Sequence, residues 1–171
     1  QPCPLSPGPS GRGSGTRTAP APLTEAGAQQ ANVGRRVLVV LAGGGLSGFL
    51  AGIPAYRTLA WSYPRHRRVL LCDTALLPLV PYVGAFEDAV AVAFQSIPER
   101  IREPAIAVNL HGRGPWSHRF LLRLRPGRLI AYAHPSVAES RRGATWGPHE
   151  SDRVRWCRLL AAYGFAIDPD D

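Results

Sequence analysis

The chain has no lysine and no methionine, and only three cysteines, among its 171 residues. Cys3, Cys72 and Cys157 lie far apart, are odd in number and form no C-x-x-C pair. That argues against a cysteine zinc module and a disulfide scaffold, and it favours a reducing compartment. With lysine absent, all twenty basic residues are arginine, scattered along the chain rather than clustered. The formal charge of +8 and the pI near 10.4 therefore read as a coding bias and a solvated basic surface, and nucleic acid is not expected as a partner. A chain that does not start at an initiator Met reads as a fragment or a processed product. Long apolar runs are scarce as well. Residues 37–56 carry no charge and are flanked by Arg35, Arg36 and Arg57, the length of a membrane span. Gly43, Gly44, Gly45, Ser47, Gly48, Gly52 and Pro54 inside that window make it a poor spanning helix.

Residues 1–34 are rich in Pro, Gly, Ser, Thr and Ala, with few large apolar side chains. Such a segment cannot bury enough surface to offset its ordering entropy, so it is expected to be a disordered tail. Residues 35–171 leave room for one domain with a real core.

The pattern within that domain alternates. A strand is expected over 36–41, apolar on both faces as in a parallel sheet. A helix is expected over 48–62, with Ser47 as N-cap, a kink at Pro54 and an apolar stripe of Phe49, Ile53, Tyr56 and Ala60. Further strands are expected at 69–72, 89–93, 106–110 and 129–133, the third following a turn at Gly84. Between them lie short helical pieces at 74–79 and 98–102. A helix at 115–124 starts on Pro115, with Trp116, Phe120, Leu121 and Leu124 turned to the sheet and Arg119 and Arg123 outward. A last helix covers 148–163, with Glu150 and Asp152 in its first turn. Strands separated by helices, with no hairpin signal, imply an α/β, Rossmann-like domain: a parallel sheet with helices on both faces.

The turn after the first strand reads Gly43-Gly44-Gly45-Leu46-Ser47-Gly48. Gly43, Gly45 and Gly48 satisfy G-x-G-x-x-G between a strand and a helix, where backbone can approach a pyrophosphate. Asp73 closes the second strand, where a ribose-binding acid would stand, though further along than usual. This gives one reading, a dinucleotide (FAD or NAD) binding oxidoreductase domain.

The run Arg36-Val37-Leu38-Val39-Val40, then Gly45-Leu46-Ser47-Gly48-Phe49-Leu50-Ala51-Gly52-Ile53-Pro54-Ala55-Tyr56-Arg57-Thr58-Leu59, then Tyr63-Pro64-Arg65-His66 resembles the opening of family 9, heptosyltransferase-like glycosyltransferases. Those proteins carry a Leu/Met-Gly-Asp turn after the first strand, a Pro-Ala-(Leu)-Arg-x-Leu helix and an aromatic-Pro ending. Ala107 to Pro115, Ser117-His118-Arg119 and Arg128 to Tyr132 look like the family's fourth strand, its glycine turn and the next strand. The resemblance covers residues 36–165 and accounts for Pro54. It implies the N-terminal, acceptor-binding half of a two-domain GT-B enzyme, whose C-terminal half would bind the nucleotide-sugar donor and is absent from these residues.

On that resemblance the chain moves a sugar from a nucleotide sugar to a glycan or lipid-linked acceptor, in the cytoplasm with peripheral membrane attachment, and is inactive as this fragment. No cofactor and no metal are expected. The implied acceptor-binding residues are Gly45, Ser47, Gly48, His111, Gly112 and Arg113. No catalytic residue is assigned, because Gly48 occupies the position of the family's general-base Asp. Arg113 suits a phosphate or carboxylate on the acceptor. Each has a plainer reading: His111 as a loop histidine bonded to backbone, Asp73 as a strand-end turn residue, Trp116 and Trp156 as core. His118 and His134 are weaker candidates. A third reading is a non-catalytic or membrane-anchored interaction protein.

Overall fold

A computed structural model describes residues 36–92 and 97–167. The tail expected over 1–34 lies outside the described residues, as does Ala93, the expected end of the third strand.

Five strands, β1 (Val37–Leu41), β2 (Arg67–Cys72), β3 (Asp88–Ala91), β4 (Ile106–Asn109) and β5 (Arg128–Ile130), form one sheet. All pairings are parallel and the order is β3-β2-β1-β4-β5. Central β1 is apolar throughout, because both of its faces are covered. Leu38 and Val40 join Phe49, Tyr56, Leu59, Trp156, Leu159 and Leu160 in one core layer. Val39 and Leu41, on the alternate face, join Phe120, Leu121 and Leu124 in the other. Each of these large side chains contributes about 1.5–3 kcal/mol on burial. The first layer is closed by α1 (Gly45–Ala51), α2 (Ile53–Ser62) and α5 (Asp152–Ala162), the second by α4 (Pro115–Leu122). A 3₁₀ segment (Thr74–Leu79) and α3 (Val80–Val83) link β2 to β3 and end at Gly84, whose φ of 69° makes the expected turn. Helices therefore cover both faces of a parallel Rossmann-like sheet.

The helix expected over 48–62 is two helices. Pro54 has no N–H for the carbonyl of Leu50, and its ring would collide with that carbonyl in a continuous helix. The chain instead ends α1 at Gly52 and restarts, placing Pro54 in the first turn of α2, where no N–H is needed. The apolar stripe survives the break, since Phe49, Ile53, Tyr56 and Ala60 all join the same layer. Ser47 is not the N-cap; Gly44 holds that position and Ser47 sits exposed in the first turn. Residues 37–56 are thus a strand and parts of two short helices, and no helix among the described residues is long and apolar enough to cross a membrane.

The last helix starts at Asp152 rather than 148. Ser151 caps it by accepting from the Val154 N–H at 3.4 Å. The nearly buried Arg155 reaches back to the carbonyls of Gly147 and Glu150, which holds the preceding residues as a loop. Glu150 is left to pair with Arg158 at 2.6 Å, and hydrogen bonding to that guanidinium lowers the Glu150 pKa.

At the edge of the sheet beyond β5, the Tyr163 hydroxyl donates to the Ala131 carbonyl at 3.1 Å and accepts from the Ala131 N–H at 3.3 Å. The Ala133 N–H goes to the Ala144 carbonyl at 2.9 Å.

Candidate functional site

The loops at the carboxyl ends of the parallel strands converge where the strand order reverses, between β1 and β4. Crossovers leave β1 toward β2 and return to β4 on its other side, so the two loops diverge and open a crevice. Gly43, Gly44, Asp73, His111 and Trp116 line it, with Ala42 at its floor. It is tight, about 20 Å³. Beside it, at the ends of β4 and β5, an open groove of about 370 Å³ is lined by Arg113, His134, Pro135, Arg141, Thr145 and Trp146.

The glycine turn is built for close approach. Gly45 has φ of 65°, a left-handed conformation that a side chain would strain, and its N–H donates to the Asp73 carboxylate at 3.3 Å. Gly43 and Gly48 touch through their backbones: a Cβ on Gly48 would stand 2.9 Å from the Gly43 carbonyl carbon. Gly48 is buried in α1. A Cβ at position 48, where the resemblance places the family's general-base carboxylate, would be directed at the Gly43 backbone.

His111 is half-buried at the start of the second loop. Its Nδ1 lies 3.0 Å from the Ala42 carbonyl, and its backbone N–H donates to Asn109 Oδ1 at 3.0 Å. The Trp116 ring meets it edge-on, with centroids 4.7 Å apart. Gly112 follows at φ of 152°, which any residue with a Cβ seldom adopts. Arg113 is exposed and lines the neighbouring groove.

Of the residues expected at the site, the structure brings His111 to the crevice and Arg113 to the groove beside it, with Gly45 next to the crevice-lining Gly44. Ser47 lies exposed nearby on α1. Asp73, read as a turn residue, does hold the turn through Gly45. Trp116 corrects the expectation of a core residue: it is 43% exposed and packs on His111, whereas Trp156 is core. Trp116 occupies the second position of a helix opened by Pro115, so it belongs to the loop rather than the sheet-facing stripe, a signal that the proline offered.

One residue that the sequence did not flag and one that it weighed as a weaker candidate organise the site. Asn109, fully buried at the end of β4, donates from Nδ2 to Ser117 Oγ at 2.9 Å, and its Nδ2 lies 3.1 Å from His118 Nδ1, which also stands 3.0 Å from the Gly114 carbonyl. His118 in turn donates from Nε2 to the Tyr132 carbonyl at 2.8 Å. His118 is thus a completely buried structural histidine, with both ring nitrogens engaged. His134 holds Ser136 at the rim of the groove. Among the described residues no group of three His, Cys, Asp or Glu side chains could hold a metal ion.

A doubly wound parallel sheet with a glycine turn opening at its switch point defines a Rossmann-like ligand-binding unit. Among solved structures, the fold is that of a GT-B half: it matches Escherichia coli heptosyltransferase WaaC, solved with ADP, with a TM-score of 0.61 and 13% identity over 77% of this chain and 48% of that one. A second match, E. coli ADP-heptose lps heptosyltransferase II, has a TM-score of 0.47 and 16% identity over 54% of this chain and 29% of that one. The chain therefore spans less than half the length of either enzyme. No family model matches the sequence, and no curated protein does.

Proposed function

We propose that this chain is the N-terminal, acceptor-side half of a GT-B glycosyltransferase that moves a sugar from a nucleotide sugar to a glycan or lipid-linked acceptor. The observation that carries the reading is the fold match to heptosyltransferase WaaC over 77% of the chain, taken together with the motifs at residues 45–59 and 107–115 that resemble the same family. In that reading the acceptor lies over Gly45, Ser47, His111 and Gly112, and Arg113 pairs with an anionic group on it. The donor belongs to a second Rossmann-like unit, so these 171 residues alone bind acceptor without turnover. A lipid-linked acceptor would bring this edge of a cytoplasmic protein to a membrane surface.

The test is a titration of the chain with heptose-deficient lipopolysaccharide, followed by amide chemical shifts. Saturable perturbation at Gly44, Gly45, His111 and Gly112, weakened about tenfold or more by Arg113→Ala, is the expected result. Absence of saturable binding, or sugar transfer by these 171 residues alone, would overturn the respective part of the reading.

The dinucleotide reading keeps one favourable observation, the close contact of Gly43 with Gly48 at the strand-to-helix turn, which dinucleotide sites also use. Against it, Asp73 is engaged by the Gly45 N–H, and the helix that should carry the pyrophosphate ends after seven residues. Titration with NAD and FAD separates the two readings: binding of either at the glycine turn would favour the dinucleotide domain.

A further inference from the structure

The crevice contains no carboxylate at the position the resemblance assigns to the base, and a side chain at position 48 would have to displace the Gly43 backbone. His111 is the group placed to do that work. The Ala42 carbonyl can only accept a hydrogen bond, so the His111 Nδ1 at 3.0 Å from it must carry the ring proton. In the neutral ring this leaves Nε2 bare, with a lone pair and no hydrogen-bond partner among the described residues. Three contacts fix the ring: the Ala42 carbonyl at Nδ1, the edge of Trp116 at 4.7 Å, and the backbone N–H held by Asn109. The ring Cε1, bonded to both nitrogens, lies against Gly44, an ordinary contact 3.5 Å from where a Cβ there would stand. With Nδ1 turned to the Ala42 carbonyl, Nε2 is the ring nitrogen left for a ligand at the crevice that His111 lines.

We propose that His111 Nε2 is the proton acceptor for the acceptor hydroxyl in sugar transfer, with its tautomer set by the Ala42 carbonyl. This rests on the glycosyltransferase reading above. In the step, the hydroxyl oxygen bonds to the anomeric carbon of the nucleotide sugar while its proton passes to Nε2. The bond from that carbon to the diphosphate oxygen breaks, and its electron pair leaves with the nucleoside diphosphate. The resulting imidazolium keeps its Nδ1–H bond to Ala42 and returns the proton to water. The titratable groups facing His111 across the crevice are Asp73 and Cys72 at the end of β2. The Asp73 carboxylate is occupied by Gly45, and burial pushes the Cys72 thiol up to about 11, so it stays neutral. Arg113 lines the separate groove, and His118 and Asn109 lie buried beneath.

Two measurements test it. Nitrogen-15 NMR of the chain in alkaline buffer should show the His111 ring in the Nδ1-protonated neutral tautomer. The Nε2-protonated tautomer would overturn the proposal whatever the protein's activity. Transfer from ADP-heptose to heptose-deficient lipopolysaccharide, measured with a protein carrying both halves, should fall by about 10²- to 10⁴-fold in kcat in His111→Ala with little change in KM. His111→Gln, which can still donate to Ala42 but takes no proton, should lose as much kcat. Gln restoring the rate would reduce His111 to a positioning role and overturn the proposal. No transfer by the wild-type two-half protein would overturn the glycosyltransferase reading itself.

Discussion

Gly43 and Gly48 are packed backbone to backbone, so that a Cβ built on either one stands 2.9 Å from an atom of the other. The contact lets α1 leave β1 directly and brings the glycine turn to the switch point. Gly48→Ala should therefore destabilise the fold by about 1–3 kcal/mol, read as a lower denaturant midpoint at unchanged slope. Gly48→Asp should be worse, and it should restore no transfer in a two-half protein. An increase in transfer by that variant would show that position 48 does face the acceptor.

Asn109 joins the two histidine-bearing segments, one through its side-chain amide to His118 and one through Oδ1 to the His111 N–H. Asn109→Leu removes the acceptor of the His111 N–H, while His118 Nδ1 keeps the Gly114 carbonyl beside it, at a cost of about 1–3 kcal/mol. Equilibrium unfolding should show that loss, and amide exchange at His111 should quicken. Unchanged exchange there would mean that the loop is held by its Ala42 contact alone.

The Tyr56 hydroxyl is buried without a hydrogen-bond partner among the described residues and lies where a Gly52 side chain would be, 2.4 Å from a Cβ built there. Burial raises its pKa far above the ordinary phenol value. Tyr56→Phe should leave stability unchanged or raise it, because the variant removes an unpaired polar group. Gly52→Ala should lower stability, and the double variant should recover part of the loss. The coupling in this double-mutant cycle is the measurement that matters.

Alkali should weaken the fold in two stages. Burial, followed by repulsion from Asp73, raises the Cys72 pKa from 9.0 to about 11. Burial, partly opposed by Arg158, raises that of Tyr132 from 10.0 to about 12. In both cases the folded state prefers the neutral form, so stability is complete below the unfolded pKa and is lost as pH rises toward the folded one. Unfolding midpoints should fall between about pH 9 and 12. Cys72→Ala should flatten the lower part of that slope, and an unaltered slope would assign the loss to other groups.

The sheet was legible because β1, β2 and β4 carry short apolar runs, Val37–Leu41, Val69–Cys72 and Ile106–Val108, set between turn residues and helical stretches, the pattern of strands covered on both sides. The stripe from Phe49 to Ala60 was legible for the same reason, since periodicity depends on neighbouring side chains and survives a break in the helix. What sequence could not give was direction. Whether position 48 faced a ligand or a neighbouring glycine depended on a contact five residues apart across a turn. Whether Trp116 faced the sheet or a histidine depended on where the first turn of α4 begins. Asn109 looked like the polar end of a strand, and nothing in its neighbourhood announced that its amide would tie His118 to the His111 loop. These are long-range or rotational facts, and spacing does not encode them.

The Tyr163 hydroxyl, bound to both the N–H and the carbonyl of Ala131, acts as a one-atom stand-in for a sixth strand. A phenol in that position occupies the donor and the acceptor that an incoming extended peptide would need, and it does so without lengthening the sheet. At this residue the protein is thus protected from edge-to-edge polymerisation by a side chain delivered from the end of α5, so docking of that helix and safe closure of the border happen in one folding event.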